Sequence, residues 1–255
     1  MSGDGTDEEF VLEPVRRVEV FRALLRGPRT RSELGETIDA SRATLHRIVQ
    51  FLEANDLARE TDEGIELTSL GRVVAGAVTD YVDRATDARR LAPLLNVVDL
   101  SSVPFEFDLS LFEDATVTLP KPGQPQRPAQ RVIDIIEEAD RVRGFGPVVM
   151  PIYVEVFHRE ILDGMATELI VGPDVVAGLE QAYAEKFAEA AETGNLDMWI
   201  REDLPFGLFI TPGVVGIVGY DEDDVLRVVV DAESDRLHEW AEDVYETYRE
   251  DAQKV

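Results

Sequence analysis

Residues 30–75 admit few folds. Within 31–38, Leu34 and Ile38 stand four apart and so share one face of a short helix. Asp39-Ala40-Ser41 breaks that pattern, and Ser41 is a preferred N-cap for a second helix. Within 41–54, Leu45, Ile48, Val49 and Leu52 make one apolar stripe at helical spacing. Ala43, His46, Arg47 and Gln50 project from the opposite face, with Arg42 on the flank of the first turn. Two short alternating segments, 57–61 and 65–68, then bracket Asp62-Glu63-Gly64, a turn in which Gly64 can take a positive φ. Helix, three-residue turn, helix and hairpin, in that order, are the layout of a winged helix-turn-helix.

A helix with one face on a core and donors on the other is what the major groove accepts. The expected partner is double-stranded DNA. Arg42 and Arg47 suit guanine, Gln50 suits adenine, and Ser41 and Thr44 suit phosphate or base edges, with Ala43 and His46 completing the exposed face. On the wing, Arg59 and Thr61 are placed to reach phosphate. The wing is also acidic, through Glu60, Asp62, Glu63 and Glu66, which leaves a protein-docking winged helix open as a reading. The ending Leu67-Thr68-x-Leu70-Gly71, with the wording of the two helices, resembles archaeal winged-helix regulators of the ArsR-like kind. That resemblance implies a DNA-binding transcription regulator.

Charge divides the chain. The formal net charge is −27, and lysine occurs only at 121, 186 and 254. With 44% apolar residues and regular apolar periodicity, this is the bias of a folded protein in a cytoplasm of molar salt, and it points to a haloarchaeal source. Residues 16–59 hold nine arginines against six acids, whereas residues 93–255 hold twelve basic and thirty-four acidic residues. The asymmetry fits a DNA-facing end joined to a body that DNA repels. Without cysteine there is no disulfide framework, thiolate metal site or cysteine nucleophile. No apolar run approaches the length of a membrane span or resembles a signal peptide, so a soluble, cytoplasmic protein is expected.

Taken in order, residues 1–9 read as a disordered tail and 10–25 as one helix ending at Gly27-Pro28. Residues 71–91 read as a long amphipathic helix with Val74, Val78, Tyr81 and Ala85 along one face, closing before Pro93. Such a helix places a homodimer seam there. Residues 94–110 are irregular, 116–119 a short strand, and 120–128, with three prolines besides Pro120, the clearest loop. Residues 129–142 read as helix, Gly144-Phe145-Gly146-Pro147 as a turn, and 146–152 as an extended run. Helix comes next at 153–163, then strand at 166–171 and a long helix at 173–193. Strands are expected at 196–201, 207–211, 214–220 and 226–230, the last two joined by an acidic hairpin turn, and a closing helix at 237–248.

The whole is an α+β protein: a winged helix-turn-helix with its linker helix over 10–92, joined to an α/β domain with a mixed sheet over 93–255. The order of segments from 94 to 250 resembles the middle domain of the archaeal regulators named for control of methanogenesis and filamentation. The residues carrying that likeness are 146–153 (Gly-Pro-Val-Val-Met-Pro-Ile-Tyr), 203–208 (Asp-Leu-Pro-Phe-Gly-Leu), 218–221 (Val-Gly-Tyr-Asp) and Trp240-Ala241. The resemblance implies a regulator whose second domain senses or dimerises.

Chemistry is sparse. His46, His158 and His238 lie on different elements, and neither a metal motif nor a phosphate-binding loop occurs, so no catalytic or metal-binding residues and no cofactor are assigned. In the second domain, Trp199, Arg201, Phe206, Tyr220 and Arg227 lie on neighbouring expected strands. They are the candidate lining of a pocket for an anionic small-molecule effector. A hydrolase-like enzyme with an appended regulatory winged helix is the remaining alternative.

Overall fold

The computed structural model describes residues 4–99 and 103–255, with side chains from residue 10 onward. The chain forms two compact units, Met1–Thr86 and Asp87–Val255.

In the first unit, α1 (Asp4–Arg16) and α2 (Val18–Leu25) replace the single expected helix and the later part of the expected tail. The break is at Arg17, whose N–H turns to Pro14 O at 3.1 Å. Residues 1–3 of the expected tail lie outside the described residues. Next come α3 (Arg31–Thr37), α4 (Arg42–Ala54), β1 (Ala58–Thr61), β2 (Gly64–Leu67) and α5 (Ser69–Leu95). β1 and β2 pair antiparallel, and Arg29 adds a bridge to Ile65. Phe21, Leu24, Leu34, Val49, Leu52, Leu57 and Ile65 are fully buried in one cluster, so each apolar stripe meets its neighbour. Burial of such a side chain contributes roughly 1.5–3 kcal/mol. The helix α5 crosses the boundary between units and continues through Pro93 instead of stopping before it. Leu91 and Leu94 are fully buried on either side, and their burial outweighs the hydrogen bond that proline removes.

The second unit is one mixed sheet with a layer on each face. Its elements are β3 (Thr116–Thr118), α6 (Arg127–Glu137), β4 (Arg141–Gly146), α7 (Pro151–Leu162) and β5 (Ala166–Val171). The chain continues as α8 (Pro173–Ala182), α9 (Ala184–Glu192), β6 (Leu196–Ile200), β7 (Gly207–Ile210) and β8 (Val215–Tyr220). It closes with β9 (Leu226–Ala232), α10 (Asp235–Glu250) and β10 (Gln253–Lys254). The strand order is β10-β6-β5-β4-β7-β8-β9-β3. β4, β5 and β6 are parallel, and from β4 through β7 and β8 to β9 each neighbour is antiparallel. Helix-linked strands thus come first and a meander last, as the segment pattern predicts.

Alternation sorts the side chains between faces. Ile170, Leu208, Ile217, Val228 and Val230 join α10, with Phe105, Phe107 and Trp240 packed against them. Phe209, Val218 and Val229 join α6 and α7 on the other face. One expectation fails at β4. Residues 144–147 are not a turn, and the helix before them ends at Glu137. Gly144 lies in the strand because a Cβ there would stand 2.0 Å from Leu208 O. Arg143 beside it ion-pairs with Glu168, Glu242 and Glu246 on the α10 side. The expected helix over 173–193 is two, broken at Tyr183 (φ −135, ψ 27).

Candidate nucleic-acid interface

Each end of α3 and α4 is held by chemistry local to it. Thr30 Oγ1 accepts from Glu33 N–H at 3.3 Å, and the Glu33 carboxylate accepts from Thr30 N–H at 2.8 Å. This capping box satisfies donors that the first turn leaves open. The Thr30 N–H and then its hydroxyl hold the Glu33 carboxyl below the usual range. Asp39, at φ 47, turns the chain between the helices. Ser41 Oγ then accepts from Thr44 N–H at 3.2 Å and starts α4. Ser41 and Thr44 hydroxyls also lie 3.0 Å apart, so both are committed to the cap.

Leu45, Ile48, Val49 and Leu52 of α4 are buried, and this turns the other face outward. Ser41, Arg42, Ala43, His46, Arg47 and Gln50 are exposed and Thr44 is half-buried. Among the described residues neither Arg42 nor Arg47 has a carboxylate partner. Arg16, Arg17, Arg22, Arg31 and Arg59 of the same unit do, whereas, among the described residues, Arg26, Arg29, Arg72 and Arg84 do not. The structure therefore brings the α4 candidates onto one surface with their charge unspent.

The wing differs. Arg59 donates to Glu66 Oε1 at 2.7 Å, directly across the hairpin, and Thr61 Oγ1 donates to Gly64 O at 2.9 Å. Arg31 pairs with Glu60 at 3.0 Å, and that hydrogen bond followed by the positive charge lowers the Glu60 pKa. Two wing carboxylates are thus neutralised, while Asp62 and Glu63 stand at the tip. Gly64 has φ +120, and a Cβ there would meet Arg29 O at 2.6 Å. The end of the wing is also tightly fitted: Thr68 Oγ1 accepts from Gly71 N–H at 3.0 Å to start α5. A Cβ on Gly71 would stand 1.8 Å from Leu57 O. The Leu67-Thr68-x-Leu70-Gly71 signature is thus a buried anchor, a cap and a backbone contact.

The five expected pocket residues of the second unit are not brought together. Three strands separate β6 from β8, and alternation sends Tyr220 to the α6–α7 face. Trp199 lies under Arg249 and Lys254, at 5.7 and 5.4 Å from its ring centre. Arg201 donates to Tyr248 O at 2.8 Å and stacks on the Tyr248 ring. Phe206 is fully buried against Phe105 and Phe145. Arg227 pairs with Asp221 at 2.5 Å. Each arginine already has its partner, so the cluster offers no open fork to an anion. His158 pairs with Glu189 at 2.8 Å and His238 lies 3.7 Å from Glu242. Among the described residues no group of His, Asp and Glu is arranged to hold a metal ion.

Sequence reasoning missed two features. Asp231, 2% exposed, is held by a two-pronged bond from Arg131 of α6 at 3.1 and 2.6 Å. A cavity around Tyr153 draws on residues scattered over many elements, and the only local sign of it is Tyr153 and Phe157 at helical spacing on α7. No helix among the described residues is long and apolar enough to cross a membrane.

Residues 125–251 match the family described as "Methanogenesis regulatory protein FilR1, middle domain", and residues 6–90 match the "HVO_A0261 N-terminal domain" family. No curated protein matches the chain. Among solved structures, TrmBL2, an archaeal chromatin protein with a novel mode of DNA binding, is 15% identical with a TM-score of 0.46, over 97% of this chain and 99% of its own. CalO1, a methyltransferase in calicheamicin biosynthesis, is 18% identical with a TM-score of 0.25, covering 68% of this chain and 57% of its own. RosA from Streptomyces davawensis, a riboflavin-type dimethyltransferase, is 16% identical with a TM-score of 0.26, covering 78% and 64%. The chain spans less than two thirds of either methyltransferase.

Proposed function

We propose that the protein is a sequence-specific, double-stranded DNA-binding transcription regulator whose α4 enters the major groove. The exposed face of α4 carries this reading: Arg42, Ala43, His46, Arg47 and Gln50 share one surface, and among the described residues its two arginines have no carboxylate partner in a chain of net charge −27. The match of 125–251 to a family named for a regulatory protein supports it. Arg42 and Arg47 take guanine, Gln50 takes adenine, and Ser41 and Thr44 stay with the cap and the backbone beside it. Arg59 and Thr61 reach phosphate only if the wing exchanges its internal partners.

The regulator works as a homodimer in the cytoplasm of a halophilic, archaeal host. Of the expected seam residues of α5, Tyr81 is 62% exposed whereas Val74 packs on the core of its own unit, and Leu70 and Val73 on the adjoining face are 46% and 71% exposed; this apolar strip is the support for dimerisation. Val73→Glu with Tyr81→Glu is expected to give a monomer by light scattering at high salt, and a dimer that survives both changes places the seam elsewhere. The second unit is the part that senses.

The test of the whole reading is immunoprecipitation of the tagged protein from its host, with binding measured on the recovered sites. Sharp peaks sharing an inverted repeat are the expected result. Diffuse recovery without a common motif would overturn it.

A further inference from the structure

The sheet face that carries α6, α7, α8 and α9 holds two separate apolar clusters. One gathers Val132, Ile136, Phe209 and Val218, and the other Val154, Val175, Leu179 and Met198. Between them lies a cavity of about 150 Å³ lined by members of both. Phe157 from α7 and Phe187 from α9 close its helical side. The walls are almost wholly hydrocarbon, which suits an uncharged guest about the size of one aromatic ring.

Two phenols, Tyr153 and Tyr220, interrupt those walls. The Tyr153 hydroxyl is buried and, among the described residues, has no hydrogen-bond partner, although the residue is only 8% exposed. An unmatched buried donor is costly, and an acceptor on a guest would satisfy it. Tyr220 lines the same cavity, and a Cβ at Gly207 would stand 3.3 Å from its hydroxyl, so glycine there leaves the ring its place. Burial first, and then Tyr220, raise the Tyr153 phenol above its usual range. It remains a neutral donor at any physiological pH.

The cations near the cavity are already matched. Lys186 of α9 pairs with Glu155 of α7, and His158 of α7 lies 2.8 Å from Glu189 of α9. An anion entering here finds no unpaired positive group among the described residues, and Glu155 and Glu189 remain more than half exposed beside it. A charge carried into such walls without a partner would not be stable. Helix α9 is bounded by the break at Tyr183 and by Gly194 at φ +74.

We propose that this cavity is an effector site for an uncharged, mainly hydrocarbon small molecule that presents one hydrogen-bond acceptor to Tyr153. The inference rests on reading the second unit as the sensing part, and it replaces the anion expected from the sequence with a neutral ligand.

The test is calorimetric titration of the full chain, without DNA, by three probes of similar size: acetophenone, ethylbenzene and benzoate. Acetophenone is expected to bind at one site, ethylbenzene about 2–10-fold more weakly for want of the acceptor, and benzoate not measurably. Tyr153→Phe should bring acetophenone to the ethylbenzene affinity and leave ethylbenzene unchanged. Ala190→Phe, which fills the cavity wall, should abolish both. If that variant does not fold, Tyr153→Phe decides alone. Failure of both neutral probes to saturate the wild-type chain overturns the site. Equal affinities for acetophenone and ethylbenzene, or an unaltered difference in Tyr153→Phe, overturn the role of the phenol. Benzoate binding as well as acetophenone overturns the neutral class. Because DNA is absent throughout, a failed operator search leaves these outcomes intact, and failure here leaves the DNA reading intact.

Discussion

Arg47 is exposed, free of any carboxylate partner among the described residues, and rigidly based, because its neighbours Ile48 and Val49 are buried. Arg47→Ala should weaken operator binding by about 1–3 kcal/mol and relax one position of the site. If Arg47 reads a base, the salt dependence of binding stays unchanged. A slope smaller by about one would assign it to phosphate instead. Gly71 is constrained differently, by Leu57 O at 1.8 Å from any added Cβ. Gly71→Ala should lower stability by about 1–3 kcal/mol, read from the shift of the denaturant midpoint. At this scale much of the first unit was legible: the faces of residues 41–54 come from a 3.6-residue period alone. What could not be read was commitment. Nothing in the order of residues says that Arg59 is matched by Glu66 across a hairpin, or that Arg201 is taken up by the end of α10.

Among the elements, α3 and β1 are joined by acid chemistry. Glu33 and Glu60 both have pKa values held below the usual carboxylate range by their partners. A carboxyl depressed in the folded state contributes stability that is complete above its unfolded pKa, about 4.3, and is lost as pH falls through the folded value. Thr30→Ala should cost about 1 kcal/mol at neutral pH through the lost cap, and the part of the deficit carried by the Thr30 hydroxyl on the Glu33 carboxylate should shrink as the solution is acidified below about pH 4. A deficit constant from neutral pH down to about pH 3 in thermal melts would show that the Glu33 carboxylate is not the linked group. Element boundaries were legible where burial alone decides them. Strand β5 was readable, residue for residue, from its apolar run between Gly164 and Gly172. Strand β4 was not, since Arg141 and Val142 read as the end of a helix and Gly144-Phe145-Gly146-Pro147 as a turn. Gly144 is there to admit a carbonyl, and Arg143 is neutralised by carboxylates roughly 25 to 100 residues away in sequence. The break at Tyr183 is likewise invisible among helix-forming neighbours. The cavity stayed hidden because no local pattern reports a gap between two clusters.

At the scale of the molecule, charge and seating act together. The second unit carries most of the acid, so on the proposed function DNA is repelled from it more strongly than from the arginine-rich stretch of residues 16–59. In the molar salt of the proposed host the release of counterions would contribute little, and the fit of α4 would supply most of the selectivity. The fit of Gly71 against Leu57 makes the first turn of α5 and the base of the wing one solid piece. In a dimer joined along α5, the separation of the two α4 helices is therefore set by the protein and not by the operator. Such a dimer would be a ruler. A single base pair inserted between half-sites turns one of them by about 34° relative to the other. Such an insertion should weaken binding more than any single base change within a half-site, and an insertion of about ten base pairs, which restores the facing but lengthens the spacing by about 34 Å, should not recover the loss. Equal tolerance of insertions and substitutions in a gel-shift series would mean that the two heads are tethered loosely.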